Sequence, residues 1–282
     1  MNEMSPSAFR APALFLSHGT GPFPLLDPEQ ESYRALVRKH GAKLDGVEGI
    51  LLFSAHWETD EPQITASTEP GIFYDYEDMR DQLPAAAFEF QYPAKGNESL
   101  AKAVAERLSE CGFAPVLDYE RGFDHAVYVP MTLLRPSADI PIVQMSVLKS
   151  RDEREGTVRN IRLGEAVECF RDRGYAIIGS GGSYHDFESI ARAFFTKQPI
   201  VPGPQQDFED FLQVTAAISD PFKRRGVLAD WRTRSSSHSA HLDRSSEHLM
   251  PFMVVAGSGG SSSGKRIDVF EFRGAPMSFY QW

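Results

Sequence analysis

This sequence has few cysteines, no long apolar run and no excess of basic residues. Each of these shortages argues against a class of protein. The 282 residues include two cysteines, Cys111 and Cys169, too few for the disulfide framework of a small secreted domain. No apolar run approaches the roughly 18 residues of a membrane span, and the N-terminal segment lacks the apolar region of a signal peptide. We therefore expect a cytoplasmic protein that does not insert into a membrane.

The charge balance is acidic, which argues against nucleic acid as a partner. Asp and Glu number 39 against 29 Lys and Arg, for a formal net charge of −10 at pH 7. Proteins that bind a phosphate backbone present a basic face, which this composition does not favour. The HExxH and CxxC motifs of other enzyme classes are also missing. The expected partner is a small molecule, and self-association into a homo-oligomer is left open.

Apolar segments of strand length alternate with segments of helical pattern along the chain. Strands are predicted at 13–17, 49–54, 113–117, 140–147, 175–179 and 267–272. Helices are predicted at 28–39, 98–110, 158–173, 204–219 and 246–256. This alternation predicts an α/β fold, a single domain over residues 1–282 whose central mixed, mostly parallel sheet is flanked by helices. We expect long loops with short helical pieces at 70–96, a polar loop at 226–239 and a flexible surface loop at 257–264.

Eight histidines are the most informative feature, because three of them share one placement. His18, His56 and His185 each lie within a few residues of the C-terminal end of a predicted apolar strand. The carboxyl ends of strands form the ligand crevice of open α/β sheets, so these side chains are expected to converge. A single histidine at a strand end is more often a hydrogen-bonded structural residue, but the shared placement favours a metal site. Imidazole ligands without thiolates suit zinc or iron.

The other histidines are placed differently. His248 begins the last predicted helix, and His125 directly precedes an apolar run. We expect His40 to be solvated at the end of a surface helix. His238 and His241 lie in a polar stretch, from which His241 could reach the site.

Five short segments, in order and spread over nearly the whole chain, carry a family resemblance. They are Leu16-Ser17-His18-Gly19, Ser54-Ala55-His56-Trp57, Gly122-Phe123-Asp124-His125 with Val129-Pro130, Gly179-Ser180 followed by His185, and Glu247-His248-Leu249 with Pro251 and Gly257. In these segments the sequence resembles the DOPA 4,5-dioxygenase group of extradiol ring-cleaving dioxygenases, a group related to the catalytic subunit of protocatechuate 4,5-dioxygenase. Each segment is weakly specific alone, whereas five in order form a strong signal.

The resemblance implies roles for five of the histidines. His18, His56 and His248 match the metal ligands of the family. His185 matches the acid–base catalyst, which is a further ligand in zinc-bound relatives, and His125 matches a second active-site histidine near the substrate. The implied reaction uses Fe(II), dioxygen and a catechol-type substrate. Zn(II) is redox-inert, so zinc found in this site would be a substitute for the working ion.

The sequence departs from the family pattern at two places. Asp186 follows His185 where many relatives have asparagine, which is expected to change the hydrogen bonding around His185. The stretch from His241 to His248 is longer than usual and puts a role for His241 in doubt. Neither departure affects a ligand implied by the family.

Four aromatic residues are candidates to line a pocket for the substrate ring: Phe23, Trp57, Tyr74 and Tyr128. Ordinary core packing is the competing interpretation for each. Two other functions also stay open at this point. One is a zinc-dependent hydrolase that activates water at the same histidines, and the other is a non-enzymatic metal-binding member of the superfamily.

Overall fold

Eight strands form one mixed sheet in the computed structural model, which describes residues 9–282. They are β1 (Ala13–Ser17), β2 (Gly49–Thr59), β3 (Gln63–Thr65), β4 (Val116–Asp118), β5 (Ile142–Leu148), β6 (Tyr175–Gly181), β7 (Lys265–Phe272) and β8 (Ala275–Gln281). Their order across the sheet is β4-β3-β5-β2-β6-β1-β8-β7. From β5 through β2 and β6 to β1 the pairing is parallel, and β8 pairs antiparallel with β1 and β7. The predicted single α/β domain with a mixed, mostly parallel sheet is confirmed, and residues 1–8 of the predicted span lie outside the described residues.

Helices flank this sheet. Within residues 9–282 they are α1 (Phe23–Leu26), α2 (Glu31–Lys39), α3 (Glu98–Glu110), α4 (His125–Leu134), α5 (Glu153–Val167), α6 (Phe187–Thr196), α7 (Pro204–Ala216), α8 (Pro221–Ala229), α9 (Ser237–Ala240) and α10 (Met250–Ser258). The helix α10 packs on α5 and on the central strand β6, while α4 packs on α2 and on β2. Asn97 caps α3, since its side chain accepts a hydrogen bond from the backbone N–H of Leu100.

The central strands position the site. Every residue of β1 and of β5 is buried, as expected for parallel strands covered on both faces. Their carboxyl ends lie at the same edge of the sheet. The strand β2 continues five residues beyond its predicted end, and its pairing with β5 shifts register between Ser54 and Glu58. Residues 55–57 of β2 have no partner on β5 at this shift, so His56 lies in an irregular part of the strand.

The segment 226–239 is not a loop, which corrects the sequence prediction. It contains the end of α8, a 3₁₀ turn at Trp231–Thr233 and most of α9. Asp220 caps α8 through the backbone N–H groups of Phe222 and Lys223. Within the segment, Arg232 donates to the backbone carbonyl of His241 and to the carboxylate of Glu153. Polar residues stay ordered here because their donors have partners inside the protein.

The glycine-rich stretch 257–264 was predicted to be a flexible surface loop, but only residues 261–263 are exposed. Gly257 and Ser258 end the buried helix α10. A Cβ atom on Gly257 would lie 2.1 Å from the carbonyl oxygen of Ile161, and one on Gly264 would lie 2.2 Å from the ring of Trp282. Glycine is needed at both positions because the neighbouring chain approaches too closely for a side chain.

His40 is buried instead of solvated. Only 4% of this residue is exposed, and its Nε2 atom lies 3.1 Å from a carboxylate oxygen of Asp268. The cause is the hairpin of β7 and β8, which brings Asp268 over the end of α2. The strand β8 was not predicted, so this cover over His40 could not be expected.

Candidate metal centre and substrate cavity

Three histidine side chains meet at the carboxyl ends of the central strands. His18 follows the last residue of β1, His56 lies where the pairing of β2 with β5 shifts register, and His248 lies in a 3₁₀ turn before α10. The Nε2 atom of His56 is 3.2 Å from the Nε2 atom of His18 and 3.2 Å from that of His248. The structure therefore brings together the three residues predicted as metal ligands.

The opposite nitrogen of each ring is held by a neighbouring oxygen. For His18 the Nδ1 atom lies 3.0 Å from the hydroxyl of Ser180, which is paired next to β1 on β6. For His248 the Nδ1 atom lies 2.8 Å from Glu247, and for His56 it lies 3.4 Å from Asp75. Partners of this kind fix the ring orientation and the tautomer of metal-binding histidines.

The chemistry of these donors fits a transition-metal ion. Burial, and then repulsion from neighbouring histidines, lowers the pKa of His18, His56 and His248 well below 6.5, so all three are neutral. A neutral imidazole whose Nδ1 donates a hydrogen bond has a free lone pair at Nε2. The three residues offer ligand atoms within 4.8 Å of one another. Three facing lone pairs suit iron or zinc, and oxygen-preferring ions such as calcium fit this set poorly.

His185 lies against this trio without a fixed partner for one nitrogen. Its ring stacks on the ring of His248, with centroids 3.4 Å apart and planes 9° apart. Its Nδ1 atom is buried and makes no hydrogen bond, the nearest carboxylate oxygen of Glu247 being 3.6 Å away. Burial lowers the pKa of His185 to about 4, so this ring is neutral as well. The sequence prediction that His185 approaches the metal ligands agrees with this placement.

His125 completes the group and shares a carboxylate with His56. It is the first residue of α4, and its Nδ1 atom lies 2.8 Å from Asp75. Its ring centroid is 3.9 Å from that of His56. Burial would raise the pKa of Asp75, but interactions with His125 and His56 outweigh burial and lower it to about 2. An ionised Asp75 therefore orients both rings.

Asp75 was not predicted as a site residue. It lies in the long stretch 70–96, which forms loops with short 3₁₀ turns as predicted. Loops of this length in a compact domain usually serve a site, and that length was the available signal. Without the fold, nothing in the sequence singled out Asp75 from the other acidic residues of the stretch.

A cavity of about 440 Å³ opens beside the histidines. Four histidines line it, and His18 contacts one of them, His56. We call this group of five the histidine edge: His18, His56, His125, His185 and His248. The same cavity is lined by the aromatic wall, defined as Phe23, Phe187, Ile190, Phe194 and Phe195. Four of its residues come from α6, a helix that was not predicted, although Phe187, Ile190 and Phe194 have helical spacing.

Of the four aromatic residues predicted to line the cavity, only Phe23 does so. Trp57 alternates with His56 along β2 and lies on the other side, under the guanidinium of Arg121. Tyr128 is fully buried and hydrogen-bonds to the hydroxyl of Tyr76. Tyr74 donates to the carbonyl of Phe90. The packing of these three agrees with the competing interpretation as structural residues.

Tyr76 and Tyr184 line the cavity in place of those three residues. Tyr76 lies beside Asp75 in the long loop, and its hydroxyl donates to the carbonyl of Ala87. Tyr184 precedes His185 and is almost fully buried. Both could have been found only from the path of the loops.

The two departures from the family pattern have structural explanations. Asp186 caps α6 by accepting from the backbone N–H of Ser189, so it shapes the helix that carries the aromatic wall. His241 is buried outside the histidine edge, and its Nε2–H donates to the carbonyl of Ser183, 2.9 Å away. The backbone N–H of His185 donates to the carbonyl of Ala240, so this segment holds His185 from behind.

Comparison with known proteins identifies the family. The sequence profile described as the catalytic LigB subunit of aromatic ring-opening dioxygenase matches residues 11–279. The chain belongs to this family. Within it, this LigB-family protein is 36% identical to a 4,5-DOPA dioxygenase extradiol of Beta vulgaris, over 94% of this chain and 93% of the relative. It is 34% identical to a protein of the same name from Portulaca grandiflora, over 89% of this chain and 87% of the relative.

The fold of this LigB-family protein also matches a solved structure. A crystal structure of an uncharacterized protein from Escherichia coli K12 superposes with a TM-score of 0.75, covering 96% of this chain and 99% of that chain. At 23% sequence identity this likeness supports the fold alone. Among the helices of residues 9–282, none combines the length and the apolar character needed to cross a bilayer.

Proposed function

We propose that this LigB-family protein is an extradiol dioxygenase that opens the ring of a catechol-type substrate with dioxygen at an Fe(II) site. The observation that carries the proposal is the meeting of three neutral Nε2 atoms at the end of a cavity that also holds His125 and His185. His18, His56 and His248 would hold the metal. Hydrolysis at a zinc site would need the trio, but it gives no reason for a largely apolar cavity beside it.

The metal would supply what the side chains lack. When bound, Fe(II) would make the two catechol hydroxyls more acidic and would provide electrons for the reaction with dioxygen. Zinc could occupy the same three nitrogens but has no redox chemistry to offer. Ring cleavage incorporates both atoms of dioxygen and yields a semialdehyde carrying a carboxylic acid.

His185 and His125 would move the protons. His185 is neutral and lines the cavity next to His248, so it is placed to accept a proton from a catechol hydroxyl. Asp75 accepts a hydrogen bond from Nδ1–H of His125, which directs Nε2 of that ring towards the cavity. We assign to His125 a hydrogen bond to the substrate oxygens. The fourth-ligand role of His185 is the competing assignment.

The test is oxygen uptake with matched metals. Protein purified without oxygen is loaded with Fe(II) or Zn(II) and mixed in air with a panel of catechols, while oxygen consumption and the yellow semialdehyde absorbance are followed. We expect matched uptake and product with Fe(II), none with Zn(II), and none with His56→Ala, which loses a ligand. Iron that stays bound without oxygen uptake from any catechol would contradict the proposal and favour the hydrolase or the non-enzymatic alternative. A cytoplasmic location stays a prediction.

A further inference from the structure

The aromatic wall gives the cavity a strongly apolar side. Phe23 and Phe194 are in contact, with ring centroids 4.4 Å apart, and Ile190 of the same helix is buried. Met79 and Leu83 from the long loop add further apolar surface. A volume of about 440 Å³ falls within the range of about 300–1,000 Å³ seen for drug-sized ligands. A bare catechol is much smaller, so the cavity has room for a substituent on the ring.

In the described part of the chain, the Asp, Glu, Lys and Arg side chains that line this cavity are all acidic. Among the described residues around it there is no lysine or arginine, whereas Asp75 and Asp78 are both present. A basic group close to the aromatic wall is Lys197, whose Nζ atom lies 5.1 Å from the ring of Phe194. That ammonium is already paired with Glu29 at 3.2 Å. A carboxylate on the substrate side chain would therefore enter an apolar region without a cationic side chain to receive it, which is costly.

Two phenylalanines of the wall are unusually exposed. Phe187 is 55% exposed and Phe195 is 76% exposed, although both line the cavity. An apolar group that covered them would remove this surface from water, which is favourable in proportion to the area covered. An apolar substituent that covers Phe187 and Phe195 would therefore bind more favourably than one that leaves them in water.

We propose that the substrate is a catechol with an uncharged, apolar substituent, and that catechols with a carboxylate side chain are disfavoured. This inference rests on the proposed function, since it names the substrate class of the same site. The histidine edge receives the diol, and the substituent lies along the aromatic wall. The absence of a lysine or arginine among the described lining residues and the exposed rings of Phe187 and Phe195 support the same conclusion independently.

The experiment measures binding without turnover. Fe(II)-loaded protein is titrated calorimetrically in the absence of oxygen with catechol, 4-tert-butylcatechol, protocatechuate, DOPA and dopamine. We expect 4-tert-butylcatechol to bind at least about tenfold more tightly than catechol, because several apolar carbons leave water. Protocatechuate and DOPA should bind more weakly than catechol. Oxygen uptake with the same panel is measured separately, so that turnover and preference are read independently.

Four variants test which residues cause the preference. Phe195→Ala should weaken 4-tert-butylcatechol binding more than catechol binding, and its exposed position separates this effect from any loss of core packing. Phe222→Ala is the matched control, since Phe222 is 74% exposed on α8 and lies outside the cavity. Lys197→Ala should leave protocatechuate binding unchanged. Phe195→Lys adds a cation to the cavity. It should reduce the difference in affinity between 4-tert-butylcatechol and the carboxylated catechols.

The outcomes separate the two proposals. One outcome is that the protein turns over catechols but binds protocatechuate and DOPA as tightly as 4-tert-butylcatechol. That outcome would overturn this inference and leave the dioxygenase proposal standing. Tightest binding of dopamine would also overturn it, in favour of an amine paired with Asp78. Selective loss of protocatechuate binding in Lys197→Ala would show that a cation does serve the site. Failure of every catechol to bind would remove both proposals together.

Discussion

The histidine edge and the aromatic wall belong to one cavity but are held in different ways. On the edge, four of the five rings have an Nδ1 atom within 3.4 Å of an oxygen, those of His18, His56, His125 and His248. On the wall, side chains contact other apolar rings, and Phe187 and Phe195 are largely in water. Hydrogen bonds fix direction, whereas apolar contacts fix only proximity. We therefore expect edge substitutions to change rate and wall substitutions to change substrate choice.

The largest expected effect comes from His185→Ala, which separates metal binding from proton transfer within the histidine edge. His185 lacks a hydrogen bond at Nδ1 and is assigned a proton-transfer role, so its loss should lower kcat by about 10²–10⁴-fold while iron stays bound. Iron content by mass spectrometry and oxygen uptake are measured on the same sample. His238→Ala is the control, because His238 pairs with Asp243 at the surface. Iron lost together with turnover would make His185 a ligand instead, and unchanged ring cleavage would remove its role.

A smaller effect is expected from Asp75→Asn, which leaves every histidine in place. Asp75 accepts from His125 and lies near Nδ1 of His56, so a neutral amide would orient both rings less well. Losing such an outer partner typically costs about 10–100-fold in metal affinity or activity. Iron affinity and kcat should both fall. Asp81→Asn makes the same chemical change at an exposed position of the same loop and should have no effect. Equal behaviour of the two variants would mean that Asp75 does not support the edge.

The parts of the molecule that depend on local pattern were predicted well from the sequence. Apolar runs located β1, β6 and the core of β2, and the helical pattern located α3 over its full observed range. The prediction of a loop at 226–239 was wrong because polar residues of this stretch have partners that only the fold supplies, as with Arg232, which donates to the carbonyl of His241. The glycines of 257–264 were misread because close packing and flexibility favour the same residue.

Within the site, the histidine edge was predicted better than the aromatic wall. Strand-end placement predicted the meeting of His18, His56 and His185, because parallel strands end at one edge of a sheet. Phe23 of the aromatic wall was predicted, but the four residues that α6 contributes were not, because the contacts of α6 depend on how the chain returns over the sheet. Trp57 does not line the cavity because its nearness in sequence to His56 places it on the opposite side of a strand.

The polar construction of the edge continues into the core, behind Ser17, which lines the cavity. The hydroxyl of Ser17 donates to the carbonyl of Ser278, and the hydroxyl of Ser278 donates to Glu209 of α7. Glu209 is 1% exposed, and its second carboxylate oxygen has no partner. Burial raises the pKa of Glu209 from 4.5 to about 7, although hydrogen bonds from Ser183 and Ser278 oppose the shift.

Glu209→Gln should affect stability and leave turnover nearly unchanged. The folded protein binds the Glu209 proton more tightly than the unfolded chain, so this group's stabilisation is complete below pH 4.5 and is lost as the pH rises to about 7. The loss is on the order of 3 kcal/mol in the free energy of unfolding. Urea unfolding measured near pH 5 and near pH 8 gives the free energy of unfolding at each pH. Between these two values the free energy of unfolding should fall less in Glu209→Gln than in the wild type. Glu106→Gln makes the same change at an exposed position of α3 and should behave like the wild type. Parallel declines in all three proteins would show that Glu209 is ionised at little cost, and that the core behind the edge is less apolar than its burial indicates.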